Sequence, residues 1–254
     1  MKINALKEKL SSGATAIGPF CKMTDPAVAE IAALSGFDFL IIDMEHGPYG
    51  FESAQNLIRA AEARGITPVI RITENSETLI LRALDIGATC IQVPQICSSE
   101  DALKVVKAAN FFPKGERGMC RYVRAADYTS IDGKSHFGSA NDYIQTIVHI
   151  EGLDGINNLE EIIAVDGIDI IFLGPYDLSQ SCGVPGEIFH EKVMSRMKEA
   201  VQLAKSHGKV VGTFTESTEK AKMWSDLGVQ YISYAVDVGI LTNAFTKIVQ
   251  DFKS

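Results

Sequence analysis

Glu151 and Asp177 are the residues of this 254-residue chain whose placement most directly invites chemistry. Glu151 closes the apolar run Ile147-Val148-His149-Ile150. Asp177 follows Ile170-Ile171-Phe172-Leu173 after a Gly174-Pro175-Tyr176 turn. If these runs are consecutive strands, the two carboxylates share one rim. Adjacent carboxylates repel unless a cation, a proton or a base lies between them. Oxygen ligands with open positions suit Mg²⁺ or Mn²⁺, which keep waters and accept substrate oxygens. Either acid alone could simply cap a helix or pair with a lysine. Two on neighbouring strands favour a shared ion.

A second group is Asp43-Met44-Glu45-His46, halted by Gly47-Pro48. A histidine beside two carboxylates can be held in one tautomer and made more basic, as a general base requires. The same residues also read as a turn and helix cap. Arg71, in the apolar run Pro68–Ile72, would be a guanidinium at a strand end and would need an anion there. That anion is a substrate oxyanion or carboxylate, or else Asp43 or Glu45. The free N–H groups of Tyr176 and Asp177 at the start of a helical turn can also bind an anion. Lys22 could in principle form a Schiff base, but no neighbour in the sequence favours it. His136, His190 and His207 read as solvated surface residues, and Met223 and Trp224 as packing.

These residues need a scaffold that gathers strand ends. Candidate strands are Thr15–Cys21, Phe37–Asp43, Pro68–Ile72, Thr89–Pro94, Tyr143–Glu151, Ile168–Leu173, Lys209–Phe214 and Gln230–Ala235. Most are near-continuous apolar runs, the pattern of parallel strands buried on both faces. Helical patterns lie between them: Asp25–Leu34, Phe51–Arg64, Glu77–Asp85, Ser99–Ala109, Leu159–Val165, Phe189–His207 and Ser217–Leu227. Ser, Thr or Asp precedes several and Gly follows most. The β-α alternation predicts right-handed parallel units, and eight of them close most simply into a (β/α)8 TIM barrel. A doubly wound open sheet is the rival, but no GxGxxG follows the first strand to mark a dinucleotide site. The length and the lack of a linker predict one domain over residues 1–254. The segment 111–142, rich in Gly, Arg, Tyr and Ser, reads as one long irregular loop. Helix Ile240–Phe252 has no strand after it and could pack on the barrel or on another subunit.

The bulk properties exclude some partners. A net charge of -8 argues against nucleic acid, which needs a basic face. No stretch has the length and apolarity of a membrane span, and the N-terminus lacks a signal-peptide pattern, so a cytoplasmic protein is expected. The 5 scattered cysteines contain no CxxC pair and fit reduced thiols, with Cys90 in the core.

At these residues the chain resembles the HpcH/HpaI aldolases, the metal-dependent class II pyruvate aldolases. The resemblance spans about Gly18 to Val238 and rests on FDFLIIDMEHGP, TPVIRI, ALDIGATCIQVPQ, FFPKGERG, VHIEG and IFLGPYDLS. It implies that Glu151 and Asp177 hold a divalent ion, Mg²⁺, Mn²⁺ or Co²⁺. His46 would be the base or part of a water-linked base system, assisted by Asp43, and Asp85 would reach a neighbouring subunit's site. Arg71 would stabilise the enolate oxygen, and the N–H groups of Tyr176 and Asp177 would take the pyruvate carboxylate. The implied reaction is reversible aldol cleavage of a 2-oxo-4-hydroxy acid to pyruvate and an aldehyde. Hexamers, with the C-terminal helix exchanged between paired barrels, are also implied. His149 and Tyr176 depart from the VQIE and GPADLS common in the family and would meet the substrate at the rim. Arg121 and Arg124 hint at an acidic or phosphorylated partner molecule, or else mark an interface loop. Two alternatives stay open: decarboxylation of an oxaloacetate-like acid through the same enolate, and a non-catalytic metabolite-binding barrel.

Overall fold

The structure, a computed structural model, describes residues 4–130 and 132–254. Among the described residues, eight parallel strands pair in sequence order and close on themselves. They are β1 (Ala16–Cys21), β2 (Phe39–Asp43), β3 (Thr67–Arg71), β4 (Cys90–Val93), β5 (Gln145–Ile150), β6 (Ile170–Leu173), β7 (Val210–Thr215) and β8 (Tyr231–Val236). β8 returns to β1 through pairs such as Ala16 with Tyr231. The expected barrel is therefore the observed one, and the open sheet is excluded.

Strand alternation sorts the side chains. Phe39, Ile41, Val69, Cys90, Ile147, Ile170, Phe172 and Tyr231 form the barrel interior. Their alternate neighbours Leu40, Ile42, Ile70, Ile91, Val148 and Ile171 face the helices in a second, larger core. Each of these buried aliphatic side chains contributes on the order of 1.5–3 kcal/mol over exposure. The same period of two carries Asp43, Arg71, Gln92, His149 and Glu151 inward at the upper ends of their strands.

The helices are α1 (Ala5–Ser11), α2 (Ala27–Leu34), α3 (Phe51–Ala63), α4 (Glu77–Asp85), α5 (Ser99–Ala109), α6 (Gly133–Tyr143), α7 (Leu153–Asn157), α8 (Leu159–Ile163), α9 (Pro175–Ser181), α10 (Glu191–Ser206), α11 (Thr218–Asp226) and α12 (Asp237–Lys253). α5 is capped by the Ser98 hydroxyl, which accepts from the Asp101 N–H at 3.1 Å. α10 buries Val193, Met197, Ala200, Val201 and Ala204, a stripe at helical spacing. Gly208 then ends the turn at φ +71, a conformation that costs glycine no steric penalty.

Two expectations are corrected. The segment 111–142 is not all irregular, because α6 begins at Gly133, with Asp132 accepting from the Ser135 N–H at 3.1 Å. His136 is buried rather than solvated, since α6 packs it against Phe111 and Phe137. α1, unexpected from the sequence, plugs the lower end of the barrel with Leu6 and Leu10, which join the interior core. α12 behaves differently from every other long helix. Val238, Leu241, Phe245, Ile248 and Phe252 recur on one stripe, and all are exposed.

Candidate active site

A cavity of about 350 Å³ opens where the strands end, the usual place for a barrel's active site. Asp43, His46, Arg71, His149, Glu151, Tyr176 and Asp177 all line it. Lys22, Phe20, Phe214 and Glu216 complete much of the wall.

Asp43 and Arg71 are paired residues of the β2–β3 ladder. Arg71 Nε donates to Asp43 Oδ1 at 2.8 Å, and Nη2 lies 2.8 Å from Oδ2. Nη1 lies 2.9 Å from Glu45 Oε2, and the guanidinium stands 4.7 Å over the Phe20 ring. Of the two partners open in the sequence reading, Arg71 thus takes Asp43 and Glu45 while still facing the cavity. Burial pushes the Asp43 carboxyl up. Arg71, the His46 N–H and Lys22 pull it down further, so it lies below its ordinary range. Burial dominates at Glu45 and raises it, Arg71 notwithstanding.

The histidine is held less tightly than its sequence context suggests. Asp43 Oδ1 accepts the backbone N–H groups of Glu45 at 3.2 Å and His46 at 3.3 Å, which shapes the turn. The ring of His46 is 60% exposed, and its Nε2 is 3.9 Å from Glu45 Oε2, beyond a hydrogen bond. Strand β2 ends at Asp43, so alternation does not align Asp43 with Glu45; Arg71 brings them together instead. Lys22, the Schiff-base alternative, sits 3.7 Å from Asp43 Oδ2 as an ion pair.

Glu151 is almost fully buried, and both its oxygens are engaged. Oε1 accepts the Gln95 N–H at 2.8 Å, and Oε2 lies 3.2 Å from His149 Nδ1. Burial opposes ionisation, but His149, the Gln95 N–H and Arg71 outweigh it and hold the carboxyl below its ordinary range. Gln95 reaches Glu151 from the left-handed region, at φ 57. Such a conformation costs a non-glycine residue on the order of 1–3 kcal/mol. Gly174 presses on the other side: a Cβ there would come within 2.8 Å of Glu151 Cβ and 2.9 Å of Oε2. The Asp177 carboxylate, in the first turn of α9, makes no hydrogen bond or ion pair with the described residues.

This donor set fits a hard divalent ion. One carboxylate is fixed in orientation, the other is uncommitted, and both face the same cavity. Among the described residues no group of three or more His, Cys, Asp or Glu is arranged to hold a metal ion. The protein would therefore supply Glu151 and Asp177, leaving positions for water and substrate, as Mg²⁺ prefers.

Asp85 is not at this cavity. It ends α4, where Arg117 Nη2 donates to Oδ1 at 2.7 Å. Arg124, read as a hint of an acidic partner, is also elsewhere, bound to Glu62 and the Ile86 carbonyl. Glu216, Phe214 and Phe172 were missed as site residues. Glu216 follows β7 directly, so the strand-end rule, extended one strand further, would have found it.

A family model described as HpcH/HpaI aldolase/citrate lyase matches residues 16–244. The chain belongs to this family. An HpcH/HpaI family protein from Burkholderia cenocepacia J2315 superposes with a TM-score of 0.94 at 32% identity, covering 99% of this chain and 100% of that one. The citrate synthase SbnG superposes at 0.90 with 31% identity, covering 99% and 98%. The 2-keto-3-deoxy-L-rhamnonate aldolase of Escherichia coli K12 is 34% identical over 252 residues, 99% of this chain and 94% of that enzyme. As an HpcH/HpaI member the chain is an enzyme, a carbon–carbon lyase of the class II pyruvate aldolase kind. The non-catalytic barrel is set aside on that ground.

Proposed function

We propose that this enzyme cleaves and forms the carbon–carbon bond of a 2-oxo-4-hydroxy acid at this cavity, with Glu151 and Asp177 holding a divalent ion. The observation that carries the reading is the convergence of Glu151, Asp177, Arg71 and His46 on one strand-end cavity. When bound, the ion would supply Lewis acidity to the 2-oxo group. Arg71, held in place by Asp43 and Glu45, offsets negative charge that develops on the oxo oxygen as the bond breaks. His46 takes the C4 hydroxyl proton as general base, from an exposed position on the rim. The N–H groups of Tyr176 and Asp177, in the first turn of α9 and without acceptors inside it, bind the substrate carboxylate. The products are pyruvate and an aldehyde.

The likeness to the Escherichia coli enzyme supports a 2-oxo-3-deoxy sugar acid as the substrate class. Mg²⁺, Mn²⁺ and Co²⁺ all suit the oxygen donors. Residues 1–254 serve as one domain. The bare apolar stripe of α12 supports assembly into a homo-oligomer, a hexamer by family, with this helix exchanged and Asp85 reaching a neighbour's cavity. Five free cysteines, and no helix of the described residues long and apolar enough to cross a membrane, support a cytoplasmic setting.

A second reading draws on the loosely held His46 ring: decarboxylation of an oxaloacetate-like acid needs no such base. In His46→Ala, aldol cleavage is expected to fall while any decarboxylation survives. The main test is pyruvate release from a panel of 2-oxo-4-hydroxy acids, with EDTA and with Mn²⁺ restored. Release unaffected by exhaustive chelation removes the metal reading. No release from any member removes the aldolase reading.

A further inference from the structure

A chain of polar contacts crosses the barrel interior beneath the cavity and ends on Glu151. Tyr231, on β8, donates its hydroxyl to Gln92 Oε1 on β4 at 3.0 Å. The Gln92 amide nitrogen meets His149 Nε2 in a short contact. His149 Nδ1 faces Glu151 Oε2 at 3.2 Å. Tyr231 and Gln92 are fully buried and His149 is 1% exposed. The imidazole also stacks on Phe172, its neighbour across the β5–β6 ladder, with centroids 4.3 Å apart and planes within 19°.

The direction of these bonds follows from the donors. An amide nitrogen only donates, so Nε2 of His149 accepts and the ring hydrogen sits on Nδ1, facing Glu151. Both ring nitrogens are then used within the chain, leaving none to bond a substrate. The ring is pinned on three sides, by Gln92, Phe172 and Glu151. A carboxylate that accepts from fixed donors on each oxygen has a fixed orientation, and such outer partners tune how well it holds a cation.

We infer that His149 is a positioning residue for Glu151, set in place by Gln92 and Tyr231, and that this buried relay tunes affinity for the divalent ion. This role rests on the reading of Glu151 as a cation ligand. It assigns His149 a different task from contact with the substrate.

The test is Mn²⁺ titration of the full-length protein, with free Mn²⁺ followed by electron paramagnetic resonance and folding checked by thermal melting. His149→Phe keeps an aromatic ring on Phe172 and removes both hydrogen bonds; Mn²⁺ affinity is expected to fall about 10–100-fold. His149→Gln keeps an N–H donor and recovers part of the loss. Gln92→Leu leaves the imidazole in place but unpinned and falls between wild type and His149→Phe; it decides the matter if His149→Phe does not fold. A folded His149→Phe or Gln92→Leu that binds Mn²⁺ as tightly as wild type overturns the relay, as does a His149→Gln that recovers nothing. Wild-type protein that binds no Mn²⁺ overturns the metal site itself, a result told apart from failure of the relay alone.

Discussion

Asp43 and Arg71 occupy the same rung of the barrel, at the last residues of β2 and β3, and their side chains meet at 2.8 Å through two separate nitrogens. The pair is buried, with Asp43 fully inaccessible. A buried ion pair adds little net stability, but breaking it leaves a stranded charge.

Arg71→Met is therefore expected to act on two levels. Stranding the Asp43 carboxylate destabilises the fold by about 3–5 kcal/mol, measured by urea unfolding. In the protein that remains folded, kcat for pyruvate release falls about 10²–10³-fold, the scale for losing one oxyanion partner. Arg71→Lys does not restore the rate, because a lysine cannot reproduce the planar two-point grip on Asp43. Full activity in Arg71→Lys would count against that grip.

The same pair predicts an acid-sensitive fold. Asp43 lies below its ordinary range in the folded chain, so the unfolded state binds its proton first. The stabilisation is fully present above the unfolded value, about 3.9, and is lost as pH falls through the lower folded value. Asp43→Asn lacks this titration. The stability gap between wild type and Asp43→Asn should narrow as pH falls below about 5, measured by unfolding at each pH. A gap that stays constant would mean that Asp43 is not ionised against Arg71.

Gly174 makes room for Glu151. Its φ of -88 suits any residue, so alanine there brings no backbone strain. The added Cβ, within 2.8 Å of Glu151 Cβ and 2.9 Å of Oε2, must displace the carboxylate. Because Glu151 Cβ cannot yield without its backbone, Gly174→Ala should still fold but melt below wild type, and bind Mn²⁺ at least about tenfold more weakly. Unchanged binding, by titration, would show that Glu151 can shift freely.

Much of this was legible in the chain. Alternating apolar runs gave the eight strands, and α4 and α5 begin and end where the sequence punctuation put them. Glu151, Asp177, Asp43, His46 and Arg71 could be picked out because each ends or follows an apolar run. What the sequence hid was tertiary. His136 looks solvated until α6 turns it onto Phe111 and Phe137. Tyr231 carries no motif, and Gln92, though inside ALDIGATCIQVPQ, has no role in the sequence alone, since only closure of the barrel sets β8 opposite β4. His149 stood out as a departure, but its partners decide what it can do.

Exposed apolar residues on α12 lead to an expectation about assembly. Five of them, Val238, Leu241, Phe245, Ile248 and Phe252, share one stripe on a helix whose one buried residue is Asp237. Exposed apolar patches mark interaction sites, and the proposed homo-oligomer would cover this one. Phe245→Glu combined with Phe252→Glu should convert an oligomer to smaller species in light scattering, with the barrel's circular dichroism retained. A wild-type chain that already runs as a monomer would refute the assembly.

The filled interior beneath the cavity has a kinetic meaning. With Phe172, Gln92 and Tyr231 packed below the site, everything that enters by the rim must leave by it. A two-product reaction in a one-ended vessel forms a queue. In the proposed reaction the fragment held by Arg71 and Glu151 would depart last, so pyruvate would compete with fresh substrate for the emptying site. The departing aldehyde would not.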